Sequence, residues 1–181
     1  MRIILLSGAA IALAACAQDR GDYGYDAPPV QAGYASASLT DASGVDRGQV
    51  SFTSVDGGVR VSIDARGMTP GVHGAHIHQT GSCIGPDFSS AGGHWNPYAK
   101  QHGRDNPAGP HMGDMPNLIV GEGGTGVLEL VIEGASISGG PAPLLDEDGS
   151  AVVIHAGADD YRSDPAGAAG SRIACGEVVP G

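Results

Sequence analysis

The chain has 181 residues, room for one domain with a real core and short for two. Its net charge of −11 argues against a nucleic-acid partner, because phosphate binding needs a basic face. With 31 Gly and 12 Pro, long helices are disfavoured, and short strands joined by turns are expected.

The first element is a leader. Met1 and Arg2 precede an apolar run from Ile3 to Ala15. That run is too short to cross a bilayer, which takes about 20 residues, and it fits the apolar region of a signal peptide. Residues 1–15 are read as that peptide. It ends Leu13-Ala14-Ala15-Cys16, which resembles a bacterial lipobox, the Cys becoming the lipidated first residue. A plain secretory signal with an incidental Cys is the alternative. An odd Cys in a secreted chain asks for a separate role, and lipidation of Cys16 supplies one. Residues 16–34 are polar, aperiodic and rich in Gly, Asp and Pro, and read as a flexible tether.

The folded domain is expected over residues 35–181. Residues 35–40, 48–54 and 59–65 alternate apolar and polar side chains, the period of a strand. Asp56-Gly57-Gly58 marks a hairpin turn between the last two. Residues 72–79 form a fourth strand candidate, followed by a long Gly-, Pro- and His-rich loop over 80–116. Strands are expected at 118–120 and 126–131, separated by Gly121, Gly123 and Gly124, and again at 151–155. A second Gly-rich loop runs over 156–171, and residues 172–179 close the domain. Eight short strands imply an all-β, antiparallel sandwich or barrel. Two loops of this length inside a small domain are commonly functional.

The histidines concentrate in these loops and at their edges. His76 and His78 leave the same face of one predicted strand, a spacing that can bring two imidazoles to one metal. His94, His102, His111 and Asp114 share the first loop, and three imidazoles with one carboxylate suit a closed zinc site. His155 stands at the mouth of the second loop. Imidazole clusters also suit copper, and the lack of free thiolates argues against Cu(I) storage.

Gly74-Ala-His-Ile-His-Gln-Thr-Gly-Ser-Cys83 resembles the copper-loop segment of Cu/Zn superoxide dismutases, and Ala91-Gly-Gly-His-Trp-Asn-Pro97 their bridging-histidine segment. His102-Gly103 and Gly109-Pro-His-Met-Gly-Asp-Met-Pro-Asn117 are similar to the family's zinc loop. Val153-Ile-His155, Ala158-Asp159-Asp160 and Gly170-Ser-Arg-Ile-Ala-Cys-Gly176 resemble its last copper ligand, electrostatic loop and Arg/Cys segment. The motifs occur in order across residues 35–181, and their wording is nearest the bacterial periplasmic branch.

The resemblance implies an eight-stranded Greek-key sandwich or flattened barrel. It implies one copper per chain on His76, His78, His94 and His155, and one zinc on His94, His102, His111 and Asp114. His94 would bridge the metals and carry a proton in catalysis. Asp159 would link the two ligand sets, and Arg172 would stand over the copper channel. Cys83 and Cys175 match the family disulfide. His73 would keep a structural hydrogen-bonding role. Trp95 stands where the family commonly has Phe, and Lys100 and Arg104 flank His102 as sources of positive charge.

The implied activity is dismutation of superoxide to dioxygen and hydrogen peroxide by copper redox cycling, with zinc structural, as antioxidant defence. The implied place is the bacterial periplasm, with a membrane contacted only through a lipid on Cys16. Monomer and homodimer are both compatible with the resemblance. Two rival readings are a copper-delivery protein on the same fold and a surface lipoprotein with a degenerate site. The first would usually lose zinc ligands or the channel Arg, the second a ligand, and none is missing.

Overall fold

The computed structural model describes residues 33–181, so the expected leader, Cys16 and nearly all of the tether lie outside the described residues. Ten strands follow: β1 (Tyr34–Thr40), β2 (Asp46–Val55), β3 (Gly58–Ala65), β4 (Gly71–His73), β5 (Ala75–His78), β6 (Leu118–Val120), β7 (Gly126–Glu133), β8 (Ala151–His155), β9 (Arg172–Glu177) and β10 (Val179–Pro180). The one helical element among the described residues is a 3-10 turn, Ser89–Ala91.

The early strands form as their alternation predicts. β1 buries Ala35, Ala37 and Leu39, β2 buries Val50 and Phe52, and β3 buries Val59, Val61, Ile63 and Ala65. Gln49, Arg60 and Asp64 point outward, the one-sided burial of an antiparallel sheet. Gly57, at φ 79°, supplies the left-handed turn between β2 and β3 that a side chain would resist.

The principal sheet runs β5-β8-β9-β1-β2-β3-β7, with β10 also on β1, and β4 and β6 form a separate pair. Every pairing is antiparallel. Neighbours distant in sequence, β3 with β7 and β5 with β8, are the crossings of a Greek-key arrangement, and the sheet curls around one core.

Two predicted strands are each divided. The segment 72–79 breaks at Gly74, whose N–H donates to Gly157 O while its own carbonyl accepts from His155 N. The half before the break pairs with β6 and the half after it with β8. The segment 172–179 breaks at Val178, whose N–H turns aside to Ser150 O. β9 then stays between β8 and the end of β1 at Thr40, while β10 pairs with the start of β1 at Ala35 and Ser36.

β5 and β8 are buried on both faces, and this positions the site. Ala75, Ile77, Val152 and Ile154 enter the main core. Val153 faces the other way, into a second cluster with Phe88, Ala91, Ala151 and Cys175. By strand alternation His76, His78 and His155 share that second face, and the long loops cover it. The Cys83–Cys175 disulfide fastens the first loop to β9.

The β8–β9 register shifts by one residue: Ile154 opposes Ala174, but His155 opposes Arg172, leaving Ile173 unpaired. This bulge sets Arg172 directly across from His155. In an unbroken ladder Ile173 would stand there.

Candidate metal centre

The first loop is laced to β5 by its backbone. Ile77 N donates to Gly113 O, Trp95 N to Ile77 O and Gly113 N to Trp95 O, at 2.8–2.9 Å. A Cβ on Gly113 would lie 2.3 Å from Ile77 O, so only glycine allows this approach. The lacing brings His94 beside His78 and Asp114 beside His76.

Two groups of donors result, sharing His94. One is His76, His78, His94 and His155; the other is His94, His102, His111 and Asp114; within each, ligand atoms lie within 4.8 Å of one another. In the second, Asp114 Oδ1 sits 2.7 Å from His94 Nδ1, 3.0 Å from His102 Nδ1 and 3.2 Å from His111 Nδ1. Asp114 Oδ2 is held separately, accepting from Gly103 N and His111 N at 2.9 Å each.

Hydrogen bonds outside the groups fix the ring tautomers. His76 Nε2 and His102 Nε2 donate to Asp159 Oδ2 and Oδ1, at 2.8 and 3.0 Å. His78 Nδ1 donates to Gly92 O at 2.9 Å, and His155 Nδ1 to Gly170 O at 3.1 Å. Each neutral ring therefore turns a lone pair inward. His76 Nδ1, His78 Nε2, His94 Nε2 and His155 Nε2 are buried without any hydrogen-bond partner. His102 Nδ1 faces the Asp114 carboxylate without aligning to donate to it. Buried lone pairs facing one another and a carboxylate are unfavourable unless a cation lies between them. Four imidazoles suit copper, and three with a carboxylate suit zinc, so the residues fit both ions.

Electrostatics prepare the donors. Burial pushes His78 down to about 2, and His94 and His155 down to about 4, so these rings are neutral at neutral pH. Burial works to raise Asp114, but hydrogen bonds from His94 and Gly103 N–H outweigh it and hold the carboxyl well below its usual range. Burial is likewise outweighed at Asp159 by the hydrogen bonds from His76 and His102, leaving it at about 2.

The other expected residues lie around this centre. Arg172 donates from Nη1 to Phe88 O at 2.6 Å and from Nη2 to Gly92 O at 2.7 Å. His73 lies outside both groups; its ring nitrogens sit 2.7 Å from His155 O and 2.9 Å from Thr69 O. Trp95 is buried in the core. Arg104 lies 3.7 Å above the Tyr161 ring, and Lys100 stands beside His111 at the surface.

Sequence reasoning missed three contributors. Asn117 brackets Asp159, donating from Nδ2 to its carbonyl and accepting its N–H at Oδ1. Asp164 accepts His102 N at 2.6 Å, and Gly167 leaves the space beside Asp159 Oδ1. Asn117 ends the segment similar to the zinc loop, and Asp164 and Gly167 lie in the second loop; nothing else in the sequence hinted at them.

The family model described as copper/zinc superoxide dismutase matches residues 46–178. The superoxide dismutase [Cu-Zn] 2 of Aquifex aeolicus is 43% identical over 146 residues, covering 80% of this chain and 85% of that protein. The superoxide dismutase [Cu-Zn] of Caulobacter vibrioides is 40% identical over 147 residues, covering 80% and 84%. The crystal structure of a SOD-like protein from Bacillus subtilis superposes with a TM-score of 0.76 at 42% identity, covering 80% and 97%. With two histidine groups that fit copper and zinc, the chain belongs to the copper/zinc superoxide dismutase family, oxidoreductases that act on superoxide.

Proposed function

We propose that His76, His78, His94 and His155 hold one copper ion, that His94, His102, His111 and Asp114 hold one zinc ion, and that His94 joins them. The observation that carries this reading is the set of buried, partnerless nitrogens converging from β5, β8 and the first loop. Copper, when bound, supplies the one-electron couple that oxidises one superoxide to dioxygen and reduces another to hydrogen peroxide. Zinc, d¹⁰, adds charge without electrons.

The chain's own residues do the rest. Asp159 orients His76 and His102 together, because each of its oxygens accepts from one ring. His94 holds one of the two protons that peroxide formation needs, at Nε2, and water brings the other. Arg172 attracts and orients the anion. Its guanidinium is steadied by two backbone carbonyls, leaving its charge to act beside His155. Protein reconstituted with both metals is expected to hold one copper and one zinc per chain by elemental analysis. His94→Ala is expected to lose activity steeply and to change the copper spectrum. An unchanged spectrum and rate would reduce His94 to a loop residue.

Residues 1–15 are a signal peptide, Cys16 carries lipid, residues 16–34 are a tether and 35–181 the catalytic domain, acting in the bacterial periplasm at a membrane. The Leu13-to-Cys16 sequence supports it. Intact mass of the membrane-extracted protein is expected to show acylated Cys16, and Cys16→Ser to release soluble protein or block maturation. An unmodified Cys16 in the mature protein sinks the anchor.

A further inference from the structure

Four of the six imidazoles in the two groups have an outer nitrogen held by a hydrogen bond from outside the groups, and His94 stands between the groups. Asp159 holds His76 and His102, Gly92 O holds His78, Gly170 O holds His155, and His94 turns a nitrogen into each group. His111 is the exception. Its Nδ1 faces Asp114 and His94, while its Nε2 takes part in no hydrogen bond among the described residues. Its side chain is also the most accessible of its group, at 9% against 4% for Asp114, 2% for His94 and 0% for His102.

The space outside His111 is a surface pocket of about 330 Å³ that reaches Asp114 as well. Tyr98, Lys100 and Met112 line its loop side, and Leu130 and Val131 of β7 line the other. That volume lies within the range of small-molecule sites. A ring lacking an outer partner is the one that can turn without breaking a further bond.

We propose that this pocket is the passage through which zinc is loaded and withdrawn, with His111 the ligand that swings aside. The inference rests on the zinc assignment above. In the exchange, the His111 Nδ1 contact to the ion breaks as a contact from an incoming oxygen or nitrogen donor forms, and no electron moves. Asp159 and His94 keep their places, so zinc leaves without dismantling the copper group. Lys100 at the rim opposes a bare cation and suits one carried on an anionic donor.

The test uses protein loaded with both metals and follows zinc transfer to the chelating dye 4-(2-pyridylazo)resorcinol. Val131→Trp fills the pocket from a surface strand position and is expected to slow transfer about tenfold, a barrier raised by about 1.4 kcal/mol. Tyr98→Ala widens the mouth and is expected to speed it. Val127→Trp, on the same strand but outside the pocket and 70% exposed, is expected to leave the rate unchanged. Equal rates in wild type, Val131→Trp and Tyr98→Ala, each with a full equivalent of zinc, overturn the passage. So does equal slowing by Val127→Trp and Val131→Trp. Zinc uptake below half an equivalent in the wild type instead removes the zinc assignment, and this inference with it.

Discussion

Asp159 tethers both groups with one carboxylate, and its place depends on a missing atom elsewhere. Gly167 sits at φ +64°, and a Cβ there would lie 1.9 Å from Asp159 Oδ1 and 2.7 Å from His102 Nε2. Asp159→Ala frees His76 and His102 together and is expected to weaken metal binding about 10- to 100-fold. Gly167→Ala is expected to reproduce much of that loss, because its Cβ displaces Asp159 and crowds His102 Nε2, as competition with a chelator would show. Wild-type affinity in Gly167→Ala would contradict the cradle. Proton binding by the same residues sets the acid response of the metal-free protein. His78, His94 and His155 take up protons less readily folded than unfolded, where the ordinary value is 6.5. Below that pH the unfolded chain binds more protons, so stability falls as pH drops from 6.5 towards 4, by up to about 1.4 kcal/mol per unit for each ring. Asp114 and Asp159, both lowered, contribute stability that is present above 3.8 and declines at more acid pH. The unfolding temperature of metal-free protein is therefore expected to fall steadily from pH 6.5 to 4. A flat profile would mean that these rings are not buried as neutral donors.

At the scale of elements, the copper side depends on how the first loop meets β9. Gly92 O accepts from His78 Nδ1 and from Arg172 Nη2, so one carbonyl sets both a ligand ring and the cation opposite His155. The Cys83–Cys175 bond ties that loop to β9 across 92 residues of sequence. Cys83→Ser is expected to cost about 4 to 5 kcal/mol in the chain-entropy account of disulfides. It is also expected to lower activity at full copper occupancy, because Gly92 and Arg172 lose their common brace. A thermal shift without that loss of activity would confine the bond to stability. The donors that the structure gathers into two groups were legible in the sequence, because metal chemistry demands particular side chains: His76 and His78 by strand alternation, Asp114 by its spacing from His111. The strands β1 to β3 were legible for the same kind of reason, each carrying an apolar residue at every second position. The break at Gly74 left only a one-residue slip in the apolar-polar alternation between Val72 and Ala75, and the change of strand partner is not written in residue type. The carbonyls of Gly92 and Gly170 and the skipped Ile173 were not legible either, because backbone acceptors and register shifts leave no mark in residue type.

For the whole molecule, charge poses a conflict. The full chain carries −11, and cleavage before Cys16 would remove Arg2 and leave −12, while superoxide is an anion. Taken alone, that field repels the substrate. With both metals held as proposed, the centre differs locally: two divalent cations would outweigh Asp114, Asp159 and a deprotonated His94, and Arg172 would add to the surplus. At physiological salt the screening length is about 8 Å, so distant surface acids act weakly on an anion already near Arg172. Focused local charge of this kind raises association rates by roughly 10- to 1000-fold. The two fields predict opposite responses to salt. If global repulsion controlled encounter, added salt would screen it and the rate would rise. If the field at Arg172 controls encounter, salt weakens the attraction and the rate falls. The expected outcome for the metal-loaded wild type is a rate of superoxide loss, measured by pulse radiolysis, that falls with ionic strength. Arg172→Lys is expected to keep much of the rate and the same sign of salt dependence. Arg172→Ile is expected to lose about tenfold or more and to flatten or reverse the salt response, since the charge of the chain then dominates the approach. Should Arg172→Ile load both metals and keep the wild-type salt slope, Arg172 serves only to anchor Phe88 and Gly92, and attraction of the anion lies with other groups.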